Sequence, residues 1–509
     1  MNFDLSIPSQ LTAALGPDIL LLVGAMGLML VAALRPDGEA HQRTVGVASL
    51  ILCIVVLVVV LVVAGRGMTA GNGVIAVDSF RWTADAIFLL AAIMTIALSL
   101  EYNAREGIGI AEAHVLLLFA TGGMMLMAAA RDLMVLFLGI ETMSIAVYVL
   151  AGLNRRSSKG AEAALKYFLL GAFSTGFLLY GIALVYGATG STNLVVIGER
   201  IQGLGLATSP MLLVGIALLL VGFAFKIAAA PFHMWAPDVY EGAPTPITGY
   251  MAAGVKAAAF AALLRVWLEA FPSVYAEWHR AVWWLAAITM VVGNVVALQQ
   301  RNLKRMLAYS SIGHTGFILV ALAAGTAQAT SAFVFYLFAY TLATLGAFAV
   351  IVSLGTTANP REAVADYYGL WHERPAMAIS MAVFMLALLG FPIFGGMGFF
   401  AKWYVLQAAL QAPAPQTRLA VILVLATTIS AGYYLSVVNA MFMKPRPAGA
   451  ASLPLVSGMA RAVIVGAVAL ILAFGVYPEP LIKLVQRHST LGSPPGTVAA
   501  PTGQAAAAR

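Results

Sequence analysis

The chain contains one cysteine, Cys53, set in an apolar run. A single thiol excludes an internal disulfide framework and an all-cysteine iron–sulfur site, which needs four thiolates. Seven histidines leave haem open by count, but no segment carries a histidine pair in ligand spacing. A dinucleotide fingerprint and a phosphate loop are both missing. Charge is scarce as well: 10% of residues are Asp, Glu, Lys or Arg, against ~25% in an ordinary water-soluble domain. The first apolar run, Ile19 to Leu34, follows Asp4 and Asp18 rather than a basic leader, and no cleavage signature closes it. It reads as a membrane helix, not a removable signal.

What fills the chain is hydrocarbon. Hydrophobic residues make up 61% of its 509 positions, and the mean hydropathy is +0.93. At roughly 20 residues per crossing, this length has room for on the order of 12 to 15 helices. The fold class is therefore an all-α polytopic membrane protein. The formal charge of +7 does not describe a nucleic-acid surface, because the basic residues stand singly or in short loop clusters.

Apolar runs bounded by polar, Gly or Pro punctuation fall at about 18–35, 45–65, 83–101, 111–130, 132–153, 162–187, 210–230, 248–270, 279–299, 304–324, 331–354, 376–409, 418–443 and 460–477. These are fourteen expected transmembrane helices, and the boundary near Arg131 and Asp132 is the least marked. Loops after odd-numbered runs carry fourteen Lys or Arg residues, while those after even-numbered runs, with the tail, carry nine. The positive-inside rule then puts the odd loops in the cytoplasm and both termini outside. The end of the chain, 489–509, has the small-residue and proline bias of a disordered tail.

Two stretches are too long for one crossing. Residues 210–240 and 376–409 would make helices of roughly 46 and 50 Å, against a hydrocarbon core of about 30 Å. The first is interrupted at Pro231 and the second at Gly390, Pro392, Gly395 and Gly396. Each carries a lysine in similar words, GFAFK ending at Lys226 and GFFAK ending at Lys402. Interrupted segments at corresponding places in two halves point to a transport site built from repeats. They are the seventh and twelfth runs, and this odd spacing makes the repeat inverted. The expected organisation is a three-helix segment over 1–110, a first five-helix repeat over 111–270 (helices 4–8), a second over 279–443 (helices 9–13), and a last helix within 444–488.

Five basic residues lie inside the runs: Lys166, Lys226, Lys256, Arg265 and Lys402. Ionisable groups in hydrocarbon are costly and mark ion or proton pathways. Lys226 is deeply placed, with some fifteen apolar residues before it and AAAPF after it. Lys256 lies about 12 Å along its helix by rise alone, Lys166 only a turn or so in, and Lys402 nearer to polar chain than Lys226, so snorkelling to an interface is the competing account for all three. Glu141 is the one carboxylate near the middle of a run. Buried alone it would be neutral, but beside a lysine ~4 Å away at an effective dielectric near 20 the pair gains about 4 kcal/mol. A static ion pair would look the same. His233 follows the Pro231 break, where it either relays protons or caps broken backbone. His314 lies in a polar island with Tyr309, Ser310, Ser311 and Thr315, fit for a water chain or for interhelical hydrogen bonds. Arg265, Glu112, His114 and Asp132 read as anchors near helix ends. Ammonium groups repel metal cations, so the species that lysines can load and release is H⁺. Three lysines and one carboxylate, all ionised, would leave an excess of two positive charges, so at least one lysine should rest neutral.

The segment PFHMWAPDVYEGAPTPITGYMAAGVKAAAFAALLR, Pro231 to Arg265, closely resembles the signature of subunit N of bacterial respiratory complex I, the NADH-quinone oxidoreductase. ETMSIAVYVLAG around Glu141, EAALKYFLLGAFSTG around Lys166, LKRMLAYSSIGHTGF around His314 and LLGFPIFGGMGFFAKWYVL around Lys402 resemble the same family, which covers roughly residues 111–440. Sister subunits M and L share the fold. PDVYEGAPTPIT favours N, Lys402 stands where subunit M typically has glutamate, and subunit L would run well beyond this length. The resemblance implies an antiporter-like, proton-translocating subunit in the bacterial inner membrane, partnered by other membrane subunits and lipid. It implies a relay of Glu141 paired with Lys226, Lys166 as a bridging group, Lys256 as the central residue and Lys402 as the exit or entry, with His233 and His314 as relay or gating candidates. NADH, FMN, iron–sulfur clusters and quinone would belong to other subunits, and none to this chain. A subunit of a multisubunit cation/proton antiporter shares the fold and is the alternative. A purely structural membrane scaffold would not need these buried charges.

Overall fold

The computed structural model describes residues 12, 14–36, 38–66, 73–356, 359–392, 396–447 and 453–488. Gly395 and the tail 489–509, both singled out in the sequence, lie outside these residues. The principal helices are α1 (Gly16–Ala33), α2 (Glu39–Gly65), α3 (Ser79–Arg105), α4 (Glu112–Ala129), α5 (Leu133–Ala151), α6 (Ser158–Thr189), α7 (Pro210–Lys226), α8 (Trp235–Gly242), α9 (Thr245–Ala270), α10 (Tyr275–Ala297), α11 (Leu303–Ala324), α12 (Ala327–Leu354), α13 (Pro375–Leu389), α14 (Gly396–Leu410), α15 (Thr417–Phe442), α16 (Gly458–Val476) and α17 (Glu479–His488).

Twelve spans among the described residues are long and apolar enough to cross a membrane, and the shorter apolar helices α7 and α13 fall in the two interrupted stretches. Their order from centre to rim follows burial. The apolar windows of α9, α11 and α12 are 94% buried, whereas those of α1, α2 and α16 are 22–28% buried and present their side chains outward. Polar residues on the three central helices therefore meet protein, not lipid, and must find partners there.

The faint boundary near residue 131 is a true break. Asp132 is the N-cap of α5, its carboxylate accepting from the N–H groups of Met134 (2.8 Å) and Val135 (3.4 Å). Such a cap is worth about 1 kcal/mol.

The break in the seventh run begins before the proline that signals it. A proline ring clashes with the carbonyl four residues back and offers it no N–H, so Pro231 forbids regular helix around Ile227. Helix α7 accordingly ends at Lys226, and Ala228 takes a positive φ of 54°. Side chains reach the carbonyls near that end: Ile227 O accepts from the Thr315 hydroxyl (2.8 Å), and Phe225 O accepts from the Trp235 indole N–H (3.1 Å) as well as from the Ala228 N–H (3.0 Å). In the twelfth run, α13 stops at Gly390, whose φ of +77° suits glycine. Gly398 then lets α14 press on α13, because a Cβ there would sit 1.8 Å from Ala387 O.

Buried ion pairs tie the first helices to the rest. Arg265 of α9, read from sequence as an interfacial anchor, is fully buried. It donates two hydrogen bonds to Asp78 (2.8 and 2.9 Å), one to Glu269 (2.7 Å) and one to Ala128 O (2.9 Å). Asp78 also caps α3 by accepting from Arg81 N–H (2.9 Å). His114 is no interfacial anchor either: it is buried and contacts the Gln42 amide at 2.8 Å.

Candidate proton-transfer site

Lys226 is the last residue of α7, where the unpaired carbonyls of a helix C-terminus favour positive charge. Its side chain is 7% exposed as a residue, and Nζ donates to the Ser144 hydroxyl (2.8 Å) and the Tyr148 hydroxyl (3.3 Å) of α5. The Ser144 hydroxyl in turn donates a hydrogen bond to Ile140 O (2.6 Å). Glu141 stands one turn before Ser144 on the same helix. It is only half-buried, forms no ion pair with Lys226, and leaves Oε1 without a hydrogen-bond partner. The pairing the resemblance implies is thus not a direct contact here, because Ser144 and Tyr148 occupy the Lys226 ammonium.

Lys256 lies at the middle of the bundle, 2% exposed. One turn of π-helix, Met251–Val255, immediately precedes it within α9, and such turns recur at functional sites. Its Nζ donates to the carbonyl oxygen of Ser311 (3.0 Å) and to the Ser311 hydroxyl. Tyr340 donates to the same hydroxyl (2.7 Å). The Thr315 hydroxyl reaches both Ile227 O, beside Lys226, and Ser311 O (3.1 Å), beside Lys256. One residue of α11 therefore touches the surroundings of both lysines.

One turn beyond Ser311 comes His314, also buried. Its Nδ1 meets the Tyr336 hydroxyl at 2.6 Å and its Nε2 the Tyr434 hydroxyl at 3.0 Å. A neutral imidazole needs one donor and one acceptor, and tyrosine hydroxyls serve either way. Tyr434 in turn contacts Ser310. A cavity of ≈ 10 Å³ lies between His314, Tyr336, Tyr340 and Lys402, about the space one water needs. On its far side Lys402, 7% exposed, donates to Leu389 O (2.8 Å), the carbonyl of the last residue of α13, and lies 4.6 Å over the Phe317 ring. Both lysines of the broken runs thus sit at the carbonyl end of a half-helix.

Other sequence candidates fall outside this set. Lys166 is 40% exposed along its side chain and pairs with Glu162 (2.6 Å) and Asp238 (2.7 Å). His233, half-buried, faces Tyr309 with ring centroids 6.5 Å apart and has no hydrogen bond at Nδ1. Pro231 is exposed. Conversely, Lys304, counted as a loop residue, is 2% exposed and donates to Glu241 O and Ala243 O at 2.8 Å each, beside Glu362 at 3.1 Å. The hydroxyls of Ser144, Tyr148, Tyr336, Tyr340 and Tyr434 were also missed. Tyr336 and Tyr340 stand four apart on one face of α12, a spacing that core packing alone would produce. Among the described residues, no group of three or more His, Cys, Asp or Glu side chains is placed to hold a metal ion.

Residues 130–430 match the family described as NADH:quinone oxidoreductase/Mrp antiporter, TM. NADH-quinone oxidoreductase subunit N of Gemmatimonas aurantiaca is 51% identical, covering 96% of each chain. A chain in respiratory complex I from Thermus thermophilus superposes with a TM-score of 0.77 at 37% identity, covering 92% of this chain and 99% of that one. A chain of the Mrp complex from Dietzia sp. has a TM-score of 0.81 at 18% identity, covering 93% of this chain and 97% of that one, a likeness of fold alone. These matches, joined to buried lysines on two broken helices, place the chain in the NADH-quinone oxidoreductase subunit N family.

Proposed function

We propose that this chain moves protons across the membrane for the NADH-quinone oxidoreductase along a row of buried groups: Glu141, Lys226, Lys256 and Lys402, with His314 between the last two. Lys166, Arg305 and their carboxylates form a charged surface cluster beside the row. Lys166 serves there as a bridging group, and His233 as a gate at the α7 break. The observation that carries the reading is the run of hydrogen bonds from Lys256 through Ser311 to Tyr340, whose ring lies 4.9 Å from that of His314, with a water-sized cavity between these rings and Lys402. Each repeat, 111–270 and 279–443, contributes one broken helix and one lysine at a half-helix carbonyl end, and the two repeats are inverted relative to one another. A neutral lysine accepts a proton, and its charge then disfavours the next ammonium in the row. Electron transfer through NADH, FMN, iron–sulfur clusters and quinone takes place in other subunits and sets these charges in motion. The excess of basic residues in odd-numbered loops supports a bacterial inner-membrane orientation with both termini in the periplasm.

The reading is tested with the complex rebuilt with Lys226→Arg or Glu141→Gln, checked for normal assembly and assayed in sealed vesicles for quinone reduction and proton pumping together. Both variants should lose pumping. A variant that assembles and pumps with wild-type rate and stoichiometry removes that residue from the row.

A further inference from the structure

Where α3 begins, away from the lysine row, lies a second set of buried charges. Arg81, on the first turn of α3, is fully buried; it donates to Asp18 of α1 and to Ala76 O (3.0 Å). Asp85, one turn further along α3, is also fully buried. Among the described residues its one ion pair is with Arg81 Nε at 3.5 Å, and neither of its carboxyl oxygens accepts a hydrogen bond. The adjoining groups are Asp78, Arg131, Arg265 and Glu269, joined through the Asp78 cap and their own ion pairs.

Four carboxyl groups, Asp18, Asp78, Asp85 and Glu269, thus face three guanidinium groups, Arg81, Arg131 and Arg265. Fully ionised, the set would bury one uncompensated negative charge, which an interior strongly disfavours. Hydrogen bonding says where the neutralising proton sits. Asp78 accepts two bonds from Arg265, Glu269 accepts one from Arg265, and Asp18 accepts one from Arg81. Asp85 alone of the four accepts none. Depth matters too: Asp18 is the third residue of α1 and Asp85 the seventh of α3, so they stand roughly 3 and 9 Å from their helix starts by rise. Arg81 bridges the shallow carboxyl to the deep one.

We infer that Asp18, Arg81 and Asp85 form a proton-binding site separate from the lysine row, in which two carboxyl groups share one guanidinium and one proton, the proton resting on Asp85 and exchanging with the aqueous face through Asp18. Loading takes a proton from hydronium to the Asp85 carboxylate and leaves water; no electron moves.

The test is infrared difference spectroscopy on the assembled complex, wild type against Asp85→Asn and against Asp18→Asn. The wild type should show the C=O stretch of a neutral carboxylic acid, shifted on transfer to D₂O. Asp85→Asn should lose that band while assembling and melting like wild type, since an asparagine has the shape of the neutral acid. Asp18→Asn should lose it too, because Arg81 then has Asp85 as its one carboxylate and holds it ionised. A band that survives in either variant, a wild type without one, a band unmoved by D₂O, or an Asp85→Asn chain that fails to assemble overturns the inference. None of these results depends on whether the lysine row conducts.

Discussion

Replacing Lys256 with arginine keeps a positive charge at the centre of the bundle and removes the ability to lose it. An ordinary lysine titrates near 10.4 and arginine at about 12.5–13.8, so neutralising the guanidinium costs roughly 3–5 kcal/mol more in the same surroundings. A relay step that needs the neutral form would then slow by about 10²-fold to 10³-fold. The local geometry adds to this. Lys256 Nζ has two Ser311 oxygens to donate to and no ion pair with a carboxylate among the described residues. Five guanidinium N–H groups could not all be met there, and each one left buried and unpaired costs about 1–3 kcal/mol. Lys256→Met is the companion variant, since it fills similar volume with nothing to protonate or to satisfy. The assay is proton pumping per quinone reduced in sealed vesicles containing the complex, with assembly verified first. Both variants should assemble in part and pump poorly. A Lys256→Arg complex with the wild-type proton-to-electron ratio would refute the requirement for a neutral lysine at this position.

Three further outcomes are expected. Gly398→Ala puts a Cβ 1.8 Å from Ala387 O, so α13 and α14 must part by about 1.5 Å, at a cost of roughly 1–3 kcal/mol or more; the 2.8 Å bond from Lys402 to Leu389 O breaks, and both melting temperature and pumping should fall. Glu141→Gln should change stability by under about 0.5 kcal/mol, because Oε1 has no partner to lose, yet pumping should drop; equal losses in both would mean a structural role. For Asp78, burial pushes the carboxyl up, but the Arg265 guanidinium, with the Arg81 N–H and Arg131, outweighs it and holds the group below the usual range. A depressed folded value means this stabilisation is full above the ordinary aspartate value of about 3.9 and is lost as pH falls through the lower folded value. Asp78→Asn should cost about 3–5 kcal/mol near neutrality and shrink the wild-type advantage in acid, measured by melting the complex against pH.

The positions of the helices were legible because hydrocarbon length and loop punctuation are local properties of the chain. Lys226 and Lys402 were legible for the same reason: a lysine in an apolar run beside a break stands out without knowledge of any partner. Their ligands were not. Ser144 lies 82 residues from Lys226 and Ser311 lies 55 from Lys256, and a serine or tyrosine in an apolar run has no signature until another helix is set against it. The proline marked the seventh break but not its first residue, since the clash falls on the carbonyl of Ile227 four positions earlier. Lys304 looked like a loop residue because its burial comes from the backbone of a segment 61 to 63 residues away. Asp18, Arg81 and Asp85 each sat near the end of a run, where a charged residue is ordinarily solvated, and only tertiary packing, with α1 set against α2 and α4 and those two against α3, encloses them.

The central claim is that protons pass between buried lysines, and a density map of the assembled complex fine enough to place waters tests it most directly. The account predicts ordered water or hydroxyl contacts without a gap from Lys226 past Thr315 to Lys256, and from Ser311 through His314 and the cavity to Lys402. A dry apolar gap too wide for one water on either side of Lys256, in maps of both resting and turning-over complex, would contradict it.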